Sequence, residues 1–356
     1  MARFYPLRVA EIRRDTRDAV VLTLEPRPED AEAFRFVQGQ YLTFRRAFDG
    51  EELRRSYSIC AGRGEGRLRV GIKKVEGGWF SAWANEELAP GDTIEAMAPM
   101  GSFHAPLEAE RARHYLLFAG GSGITPILSI VKTVLAEEPR ATLTLVYGNR
   151  STSAIMFREE LEDLKDQHLG RLSIIHVLES EAQDIDLFNG RLDRQKCDLL
   201  FSRWIDPKRA DLAFICGPEP MMKAVSEALE AHGMAKEKIK FELFASSRPK
   251  KPRPRPEGES AADGIVATAR IVLDGVSREI ALREGESVLE AARAATIDAP
   301  FSCCAGVCST CRAKLVEGEV EMEANYALED YEVARGYILT CQSRPVTKRL
   351  VVDYDG

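Results

Sequence analysis

The feature that most limits what this chain can fold into is a group of cysteines near its C-terminal end. Four of the eight cysteines lie within the eleven residues FSCCAGVCSTC, from Phe301 to Cys311. In a reducing compartment, clustered thiols are typical of metal ligands or redox groups rather than of structural disulfides. We therefore interpret this segment as a metal-binding or redox loop.

The rest of the sequence favours such a compartment. The N-terminal MARFYPLRVAEIRRDTRDAV has no apolar run of signal-peptide length, and no stretch approaches the roughly eighteen apolar residues of a membrane-spanning helix. The net charge of -7 gives no support for a nucleic-acid partner. We therefore predict a cytoplasmic protein with neither a membrane nor a nucleic-acid partner.

The spacing of the cysteines narrows the chemistry. Cys303, Cys308 and Cys311, taken with Cys341, give C-x4-C-x2-C followed by a distant fourth cysteine, the plant-type pattern for a [2Fe-2S] cluster held by four thiolates. Cys304 lies outside this pattern, because choosing it would leave a gap of three residues. Zinc is the main alternative, although structural zinc sites usually come as two closely spaced pairs. Burial of the thiols for purely structural reasons would not require this spacing.

The length of 356 residues predicts two or three domains. Residues 1–110 alternate short β-type runs with Gly and Pro turns, which predicts an antiparallel barrel or sandwich. Residues 111–244 alternate strand, glycine loop and helix, which predicts a parallel sheet flanked by helices. Residues 245–264, ASSRPKKPRPRPEGESAADG, have the composition of a semi-extended linker, and residues 265–356 form the last domain.

The last domain carries two local signals. ATARIVLDGVSREIAL predicts two strands around an Asp-Gly turn at Asp274 and Gly275. A short helix should follow, because Ser287 and Glu290 have the spacing of a capping box. The segment from Ile265 to Gly356 resembles a plant-type [2Fe-2S] ferredoxin domain throughout, including GYILTCQ around the fourth cysteine. The resemblance implies a β-grasp fold with the cluster near the surface.

Two short motifs in the first domain suggest a flavin site. In the predicted strand R-S-Y-S, Arg55 and Tyr57 share one face while Ser58 lies on the other, with Ser56 between them. An arginine can clamp a phosphate, and a tyrosine can pack on or hydrogen-bond to a flavin. An ordinary edge strand is the alternative.

The second motif is GGWFSAW. Gly77 and Gly78 precede Ser81, where we expect a helix to begin, and glycines before a helix N-terminus can cradle a pyrophosphate. A tight turn that binds no ligand is the alternative.

The stretch GGSGITP, Gly120 to Pro126, lies between the apolar strand YLLFA and an amphipathic helix, as a nucleotide loop requires. Its Gly121, Gly123 and Thr125 are candidate binding residues. It departs from the dinucleotide fingerprint, because Pro126 stands where the third glycine would be and suits the first helical turn.

Three further positions follow predicted strands of this domain. Arg150, after YGN, could meet a 2'-phosphate, so we favour NADPH over NADH, with a plain surface arginine as the alternative. Cys216, Gly217 and Pro218 follow the strand AFI at the edge where open α/β sheets bind ligands. Phe244 ends the run FELF, either over a ligand or in the core.

The flavin and nucleotide motifs, in this order, resemble the ferredoxin-NADP reductase superfamily. The resemblance implies an FAD site that also uses Ile72 and Lys73, and a nicotinamide lined by the Cys-Gly-Pro segment. It implies that Ser58, Cys216 and Phe244 surround the hydride-transfer site, with Cys216 as a packing group rather than a nucleophile. FAD rather than FMN is likewise implied by the resemblance and not by a local motif.

The whole multidomain chain, with flavin barrel, nucleotide domain and ferredoxin domain in this order, resembles the reductase components of bacterial oxygenases. The stretches FDGEELRRSYSIC, GSGITPILSI, YGNR and MEANYALE carry this resemblance. It implies electron transfer from NADPH, or NADH, through FAD and the [2Fe-2S] cluster to a di-iron oxygenase of a multicomponent monooxygenase. The alternatives are service to another oxygenase, such as an aromatic-ring dioxygenase, and a non-enzymatic metal-binding module with a degenerate nucleotide fold.

Overall fold

The structure is a computed structural model that describes residues 3–244 and 264–356. The predicted linker lies outside the described residues, apart from Gly264. Contacts divide the chain into two compact units, one formed by Tyr5–Leu53 with Tyr57–Phe244 and the other chiefly by residues 264–356. None of the described helices is long and apolar enough to cross a membrane. The predicted domain boundaries at 110 and 264 stay predictions.

The first sheet has six strands, and four pairs of neighbouring strands in it run antiparallel. The strands are β1 (Tyr5–Thr16), β2 (Ala19–Pro26), β3 (Tyr41–Phe48), β4 (Glu51–Ser58), β5 (Leu68–Lys73) and β6 (Thr93–Ala96). Their order is β4-β3-β6-β1-β2-β5, and an antiparallel bridge between Ile59 and Val70 joins the end of β4 to β5. The two edges therefore meet, which confirms the predicted antiparallel barrel.

Helix α1 (Trp79–Glu86) follows β5 and packs on the barrel. Its Phe80 and Trp83 join the buried side chains of the strands in one apolar cluster. Alternating apolar residues of the strands, such as Leu22 and Leu24 of β2, point into the same cluster, as expected for strands with one buried face.

The second sheet has five strands, all parallel. Its elements are β7 (His114–Gly120), α2 (Ile124–Glu137), β8 (Thr142–Asn149), α3 (Arg158–Gln167), β9 (Leu172–Leu178), α4 (Arg194–Arg203), β10 (Leu212–Gly217), α5 (Glu219–Ala231) and β11 (Ile239–Leu243). The order is β11-β10-β7-β8-β9, so the chain reverses direction across the sheet between β7 and β10. Such a reversal opens a crevice at the carboxyl ends of those two strands. The predicted parallel α/β sheet is confirmed.

The C-terminal unit is a mixed sheet with short helices. Its elements are β12 (Ile265–Leu273), β13 (Val276–Arg283), α6 (Val288–Ala294), β14 (Arg312–Glu317), β15 (Val320–Met322), α7 (Asp330–Ala334), β16 (Tyr337–Leu339), β17 (Ser343–Pro345) and β18 (Arg349–Asp353). The main sheet has the order β13-β12-β18-β14-β16, with β12 and β18 parallel and the other pairs antiparallel. A mixed sheet with its first and last strands side by side matches the predicted β-grasp fold.

The local signals of this unit are present. Asp274 and Gly275, with φ of 52° and 70°, form the turn between β12 and β13. Two left-handed residues are what a tight hairpin turn of this kind requires. At the start of α6, the Ser287 hydroxyl accepts from the Glu290 N-H and the Glu290 side chain accepts from the Ser287 N-H, so the predicted capping box is confirmed.

Candidate functional site

The glycine loop lies at the reversal point of the parallel sheet. Gly121–Gly123 form a short 3-10 turn between β7 and α2, and the predicted Pro126 lies in the first turn of α2. A Cβ on Gly123 would lie 2.2 Å from the carbonyl oxygen of Cys216, so the loop packs directly on the end of β10. Gly121 has a φ of +53° and open space where a side chain would be. The N-terminus of α2 can therefore receive a phosphate here.

Two hydroxyls hold this loop. The Thr125 hydroxyl donates to the carbonyl oxygen of Ser122 at 3.0 Å. The Tyr147 hydroxyl, from the fully buried end of β8, donates to the carbonyl oxygen of Gly121 at 2.9 Å. The sequence analysis did not single out Tyr147, because nothing in its local context distinguishes it from an ordinary core tyrosine. Its role follows from the parallel pairing of β7 and β8.

The Cys216, Gly217 and Pro218 segment faces the same crevice. A Cβ on Gly217 would lie 2.6 Å from the side chain of Met221 and 3.0 Å from the backbone of Gly120, so only glycine leaves room where the two segments meet. Cys216 is fully buried, and burial together with the nearby Glu242 raises the pKa of its thiol well above the ordinary value. Cys216 is therefore held as a thiol, which suits a packing group and not a nucleophile.

A carboxyl group that the sequence analysis missed completes this site. Glu242 of β11 is directly opposite Cys216 of β10 in the sheet register. The buried hydroxyl of Ser58 donates to its Oε2 at 3.4 Å. Burial raises the pKa of Glu242 to about 8, and the Ser58 hydrogen bond works in the opposite direction. The available signal was an acidic residue inside the apolar run FELF.

Phe244 lies just beyond β11 and packs, half-buried, against the core that α2 shares with the sheet. That position agrees with the alternative of a core phenylalanine. Phe244 also lies at the carboxyl end of β11, two residues after Glu242.

The four residues of the predicted flavin strand lie in β4. The ring of Tyr57 packs against Phe44 and Phe80, with centroid distances of 6.1 and 5.6 Å. A guanidinium N-H of Arg55 donates to the carbonyl oxygen of Arg54 at 2.7 Å. Alternation along the strand places Arg55 and Tyr57 on one face and Ser56 and Ser58 on the other.

The glycine turn before α1 differs from the expectation in one respect. The helix begins at Trp79, with Gly78 as its N-cap, and not at Ser81. The Ser81 hydroxyl accepts from the Val75 N-H at 3.0 Å and donates to the Gly78 carbonyl at 3.1 Å, so it closes the turn. The turn starts the helix earlier because Gly77, at a φ of +66°, reverses the chain before it.

The side chains of Ile72 and Lys73 in β5 make contacts within the barrel. The Ile72 side chain is fully buried in the barrel core, and its carbonyl accepts from the Asn85 side chain at 3.1 Å. Lys73 pairs with Asp18, with 3.6 Å between Nζ and the carboxylate. A flavin could meet Ile72 only through its backbone, so its assignment as a binding residue does not extend to its side chain.

Arg150 is exposed just beyond the end of β8. Its carbonyl accepts from the Ser180 N-H at 2.8 Å, which places it beside the end of β9. Glu179, next to it, is engaged by Arg191 in an ion pair. The backbone of Arg150 thus lies at the carboxyl end of the sheet, and a contact of its guanidinium with a 2'-phosphate stays a prediction.

The four predicted ligands of the cysteine loop lie in two thiol pairs. A hydrogen bond between the thiols joins Cys303 with Cys308, and another joins Cys311 with Cys341. Within each pair, the hydrogen bond lowers the pKa of one thiol, Cys303 or Cys341, and raises the pKa of its partner.

Cys304 behaves differently from its neighbour. It adopts a left-handed backbone with a φ of 50° and packs against the domain core. Burial raises the pKa of its thiol to about 12. Cys304 belongs to neither thiol pair, which agrees with the choice of Cys303 over Cys304 as the ligand.

The residues around the loop fit a [2Fe-2S] cluster. The N-H of Ala305 points at the Cys303 sulfur at 3.4 Å, and the N-H of Cys303 points at the Cys308 sulfur at 3.5 Å. A Cβ on Gly306, at a φ of +73°, would lie 2.7 Å from the carbonyl oxygen of Ala324, so only glycine fits there. Within residues 3–244 and 264–356, no three His, Cys, Asp or Glu side chains are grouped so as to hold a single metal ion.

Three family models match the chain. They are the oxidoreductase FAD-binding domain over residues 6–105, the oxidoreductase NAD-binding domain over 117–227, and the 2Fe-2S iron-sulfur cluster binding domain over 271–346. The FAD, pyridine-nucleotide and [2Fe-2S] sites predicted from the sequence are therefore supported at the level of domains.

Two relatives match over nearly their full lengths. One is a component of the 1,2-phenylacetyl-CoA epoxidase of Escherichia coli K12, 44% identical over 100% of this chain and 99% of its own. Another is the ferredoxin reductase component of the 3-ketosteroid-9-alpha-monooxygenase of Mycolicibacterium smegmatis, 34% identical over 98% and 96% of the two chains. The solved structure of phthalate dioxygenase reductase, 26% identical, covers 98% of each chain with a TM-score of 0.60.

Proposed function

The chain belongs to the family of FAD- and [2Fe-2S]-containing reductase components of multicomponent oxygenases, and from this premise we propose that it carries electrons from NADPH to the di-iron oxygenase of a phenylacetyl-CoA epoxidase. Membership of this family leaves no place for the alternative of a non-enzymatic metal-binding module. The oxygenase would hold the aromatic thioester, and this chain would not contact it. The reaction would belong to the breakdown of phenylacetate.

The choice of partner depends on full-length similarity. Identity of 44% to an epoxidase component, against 34% to a steroid monooxygenase reductase, favours the epoxidase as the partner. Reductases of this family serve different oxygenases with the same three cofactor domains, so another oxygenase is the alternative. We place the protein in the cytoplasm, where the thiols of its cluster loop would stay reduced.

One observation carries the proposed reaction. The glycine loop, the Cys216 segment and Glu242 meet at one crevice, and Ser58 of the flavin barrel reaches into it within the same compact unit. A nucleotide whose pyrophosphate lies at the N-terminus of α2 would place its nicotinamide along Cys216 and Gly217. Ser58 from the barrel would then border the flavin side of the same crevice.

The two cofactors and the side chains of this crevice have separate tasks. FAD, when bound, supplies the conversion between a two-electron hydride donor and one-electron steps, and the [2Fe-2S] cluster accepts electrons singly. Cys216 excludes water beside the nicotinamide. Glu242 holds a proton on its carboxyl below pH of about 8, so it can donate a hydrogen bond into the crevice where the nicotinamide would lie. Ser58 orients that carboxyl by donating to it.

Spectroscopy under anaerobic conditions tests the electron path. We expect the purified protein to contain about one flavin and two irons per chain, and NADPH to bleach the flavin and cluster bands together. A flavin that bleaches while the cluster bands persist would contradict transfer to the ferredoxin domain. For the partner, turnover with the oxygenase components of the epoxidase should exceed turnover with an aromatic-ring dioxygenase, and the reverse order would select the alternative.

The preference for NADPH is a separate prediction about Arg150. The variant Arg150→Ala should lower kcat/KM for NADPH by about tenfold or more, because a charge-assisted hydrogen bond to the 2'-phosphate is lost. The kcat/KM for NADH should change little. Steady-state reduction of ferricyanide with each nucleotide measures the ratio. Arg191→Ala, at the neighbouring ion pair with Glu179, is the control. An unchanged ratio in Arg150→Ala would reject the role of Arg150.

A further inference from the structure

The residue after the fourth cysteine contacts both halves of the cluster site. The side-chain Nε2 of Gln342 lies 3.5 Å from the Cys341 sulfur and 3.1 Å from the Cys341 carbonyl oxygen. The same nitrogen lies 3.2 Å from the carbonyl oxygen of Cys304, in the loop that carries the other three cysteines. All three neighbours are hydrogen-bond acceptors, which requires the amide nitrogen and not the amide oxygen at this position.

The rest of Gln342 is held in place around this amide. Its N-H donates to the Leu339 carbonyl at 2.9 Å, and its carbonyl accepts from the Glu323 N-H at 3.0 Å. A Cβ on Gly306 would lie 3.1 Å from its Cγ, so its stem rests on the glycine of the cluster loop. These contacts hold the Gln342 side chain in one position, with its amide directed at the Cys341 sulfur.

We propose that Gln342 is a positioning residue that ties the cluster loop to the fourth ligand and raises the reduction potential of the cluster by donating an N-H to the sulfur of Cys341. This inference depends on the proposed function, because it assumes that the four cysteines hold a [2Fe-2S] cluster. Such a donor is part of the shell around the ligands, and hydrogen bonds to the ligand sulfurs are among the factors that set the potential of a cluster.

The direction follows from charge. Reduction adds one electron to the cluster, so the thiolate sulfurs carry more negative charge in the reduced state. A hydrogen bond to a sulfur stabilises that state more than the oxidised state. Removing the donor should therefore lower the potential and make the cluster a weaker acceptor for electrons from the flavin.

The variant Gln342→Leu removes the amide, and Gln342→Glu keeps the shape of the side chain but replaces the donor with a carboxylate. Thr340→Val is the matched control, because the Thr340 hydroxyl donates to the carbonyl oxygen of another ligand, Cys311, at 2.9 Å and not to a sulfur. Each full-length protein is titrated anaerobically against redox dyes, and the reduced cluster is followed by electron paramagnetic resonance.

We expect the equilibrium constant for reduction of the cluster to fall about tenfold in Gln342→Leu, which is about 59 mV for one electron. It should fall further in Gln342→Glu and stay within about twofold of the wild type in Thr340→Val. If Gln342→Leu does not assemble a cluster, Gln342→Met, which also lacks the donor and adds no charge, takes its place, because a carboxylate lowers the potential by its charge alone.

Two results would overturn the inference. Potentials of both Gln342 variants within twofold of the wild type would show that the amide does not tune the cluster. An equal fall in Thr340→Val would show that general loosening of the loop is responsible. A wild-type protein without iron would instead reject the proposed function, and the iron content measured on the same samples separates that failure from the other two.

Discussion

At the scale of single residues, burial decides which groups in the two sites carry a charge. Glu242 and Cys216 are held neutral, the first with a pKa of about 8 and the second with a pKa well above its usual range. In the cluster loop, a hydrogen bond with Cys308 lowers the pKa of Cys303, whereas burial raises that of its neighbour Cys304. Function at this scale depends on protonation states that the residue types alone do not reveal.

Glu242 should give the flavin-reduction step a pH dependence. In the wild type, we expect the rate with saturating NADPH to fall to about half at pH 8 and about a tenth at pH 9, because only the protonated carboxyl can donate a hydrogen bond into the crevice. Glu242→Gln should remove this step. Stopped-flow absorbance of the flavin from pH 6 to 9 measures it.

Ser58→Ala provides the matched test. Since the Ser58 hydrogen bond lowers the pKa of Glu242, its loss should move the step to higher pH. Folding is linked in the same sense, because a carboxyl whose pKa is raised from 4.5 to about 8 loses stabilisation as the pH rises through that interval. Glu242→Gln should therefore gain stability over the wild type toward alkaline pH, and a variant that keeps the wild-type profile would contradict this role.

The two neighbouring cysteines should differ in cluster assembly. Cys303→Ser should lower the iron content from about two per chain to near zero, whereas Cys304→Ser should retain about two. Iron analysis and the visible spectrum of the purified variants measure the difference. Loss of iron in Cys304→Ser with retention in Cys303→Ser would reverse the assignment of the ligand.

At the scale of elements, the strand ends at the sheet reversal do most of the positioning. The loop between β7 and α2 comes closest to the end of β10 at Gly123, where the absence of a side chain lets the backbone approach the Cys216 carbonyl. α1 and α2 both begin immediately after glycines, and each helix N-terminus is therefore open to a phosphate. These two candidate phosphate sites therefore depend on the backbone at the helix N-termini and not on individual side chains.

Gly123→Ala tests this close approach. The new Cβ would lie 2.2 Å from the Cys216 carbonyl oxygen, so the loop or the end of β10 must move. We expect a loss of about 1–3 kcal/mol in the free energy of unfolding and a raised KM for the nucleotide. Gly170→Ala, with nothing near its Cβ position, should stay within about 0.5 kcal/mol. Urea denaturation and steady-state kinetics measure the two effects. Equal stability and equal KM in the two variants would contradict the close approach at Gly123.

At the scale of the whole molecule, the barrel and the parallel sheet form a single unit with a common interior. The barrel residues Ala19 and Val21 belong to the same buried cluster as the side chains of α2. Polar contacts accompany this core. The buried Lys132 of α2 pairs with Glu160 and, at 2.9 Å, with Glu65, and Arg69 of β5 binds Glu160 with two hydrogen bonds. Such a network fixes the barrel against the nucleotide sheet.

Lys132→Met should destabilise this unit by roughly 3 kcal/mol, because Glu160 would lose its most deeply buried cationic partner and keep only Arg69 and the more distant Arg13. Burial disfavours the Glu160 carboxylate, but hydrogen bonds and charge from Arg69 and Lys132 outweigh it, so its pKa is lowered. The stabilisation is therefore present above the ordinary value of 4.5 and is lost as the pH falls below it. The difference between wild type and variant should shrink in acid.

Tryptophan fluorescence during urea denaturation measures this difference, since Trp79, Trp83 and Trp204 are the three tryptophans of the chain and all lie in this unit. The control is Arg158→Ala, which breaks an exposed pair with Glu162 and should cost about 0.5 kcal/mol or less. Equal losses in the two variants, or a difference that is the same at pH 7 and pH 4, would contradict the proposed role of the network.

Features that depend on near neighbours in the chain were readable from the amino acids. The spacing of the three loop cysteines, the capping box at Ser287 and the Asp-Gly hairpin are of this kind, because their physics involves residues a few positions apart. The alternation of strands and helices likewise predicted the barrel and the parallel sheet. The order of three domains then indicated the family.

Tertiary structure decided the features that require distant residues to meet. Ser58 and Glu242 are separated by 184 positions, and Glu242 acquires its raised pKa only where folding brings them together and removes the carboxyl from water. Tyr147 reaches Gly121 only through strand pairing, and Ile72 proved to face the barrel core. Local sequence sets conformational preference and ligand spacing, whereas burial and electrostatic environment are sums over the whole fold.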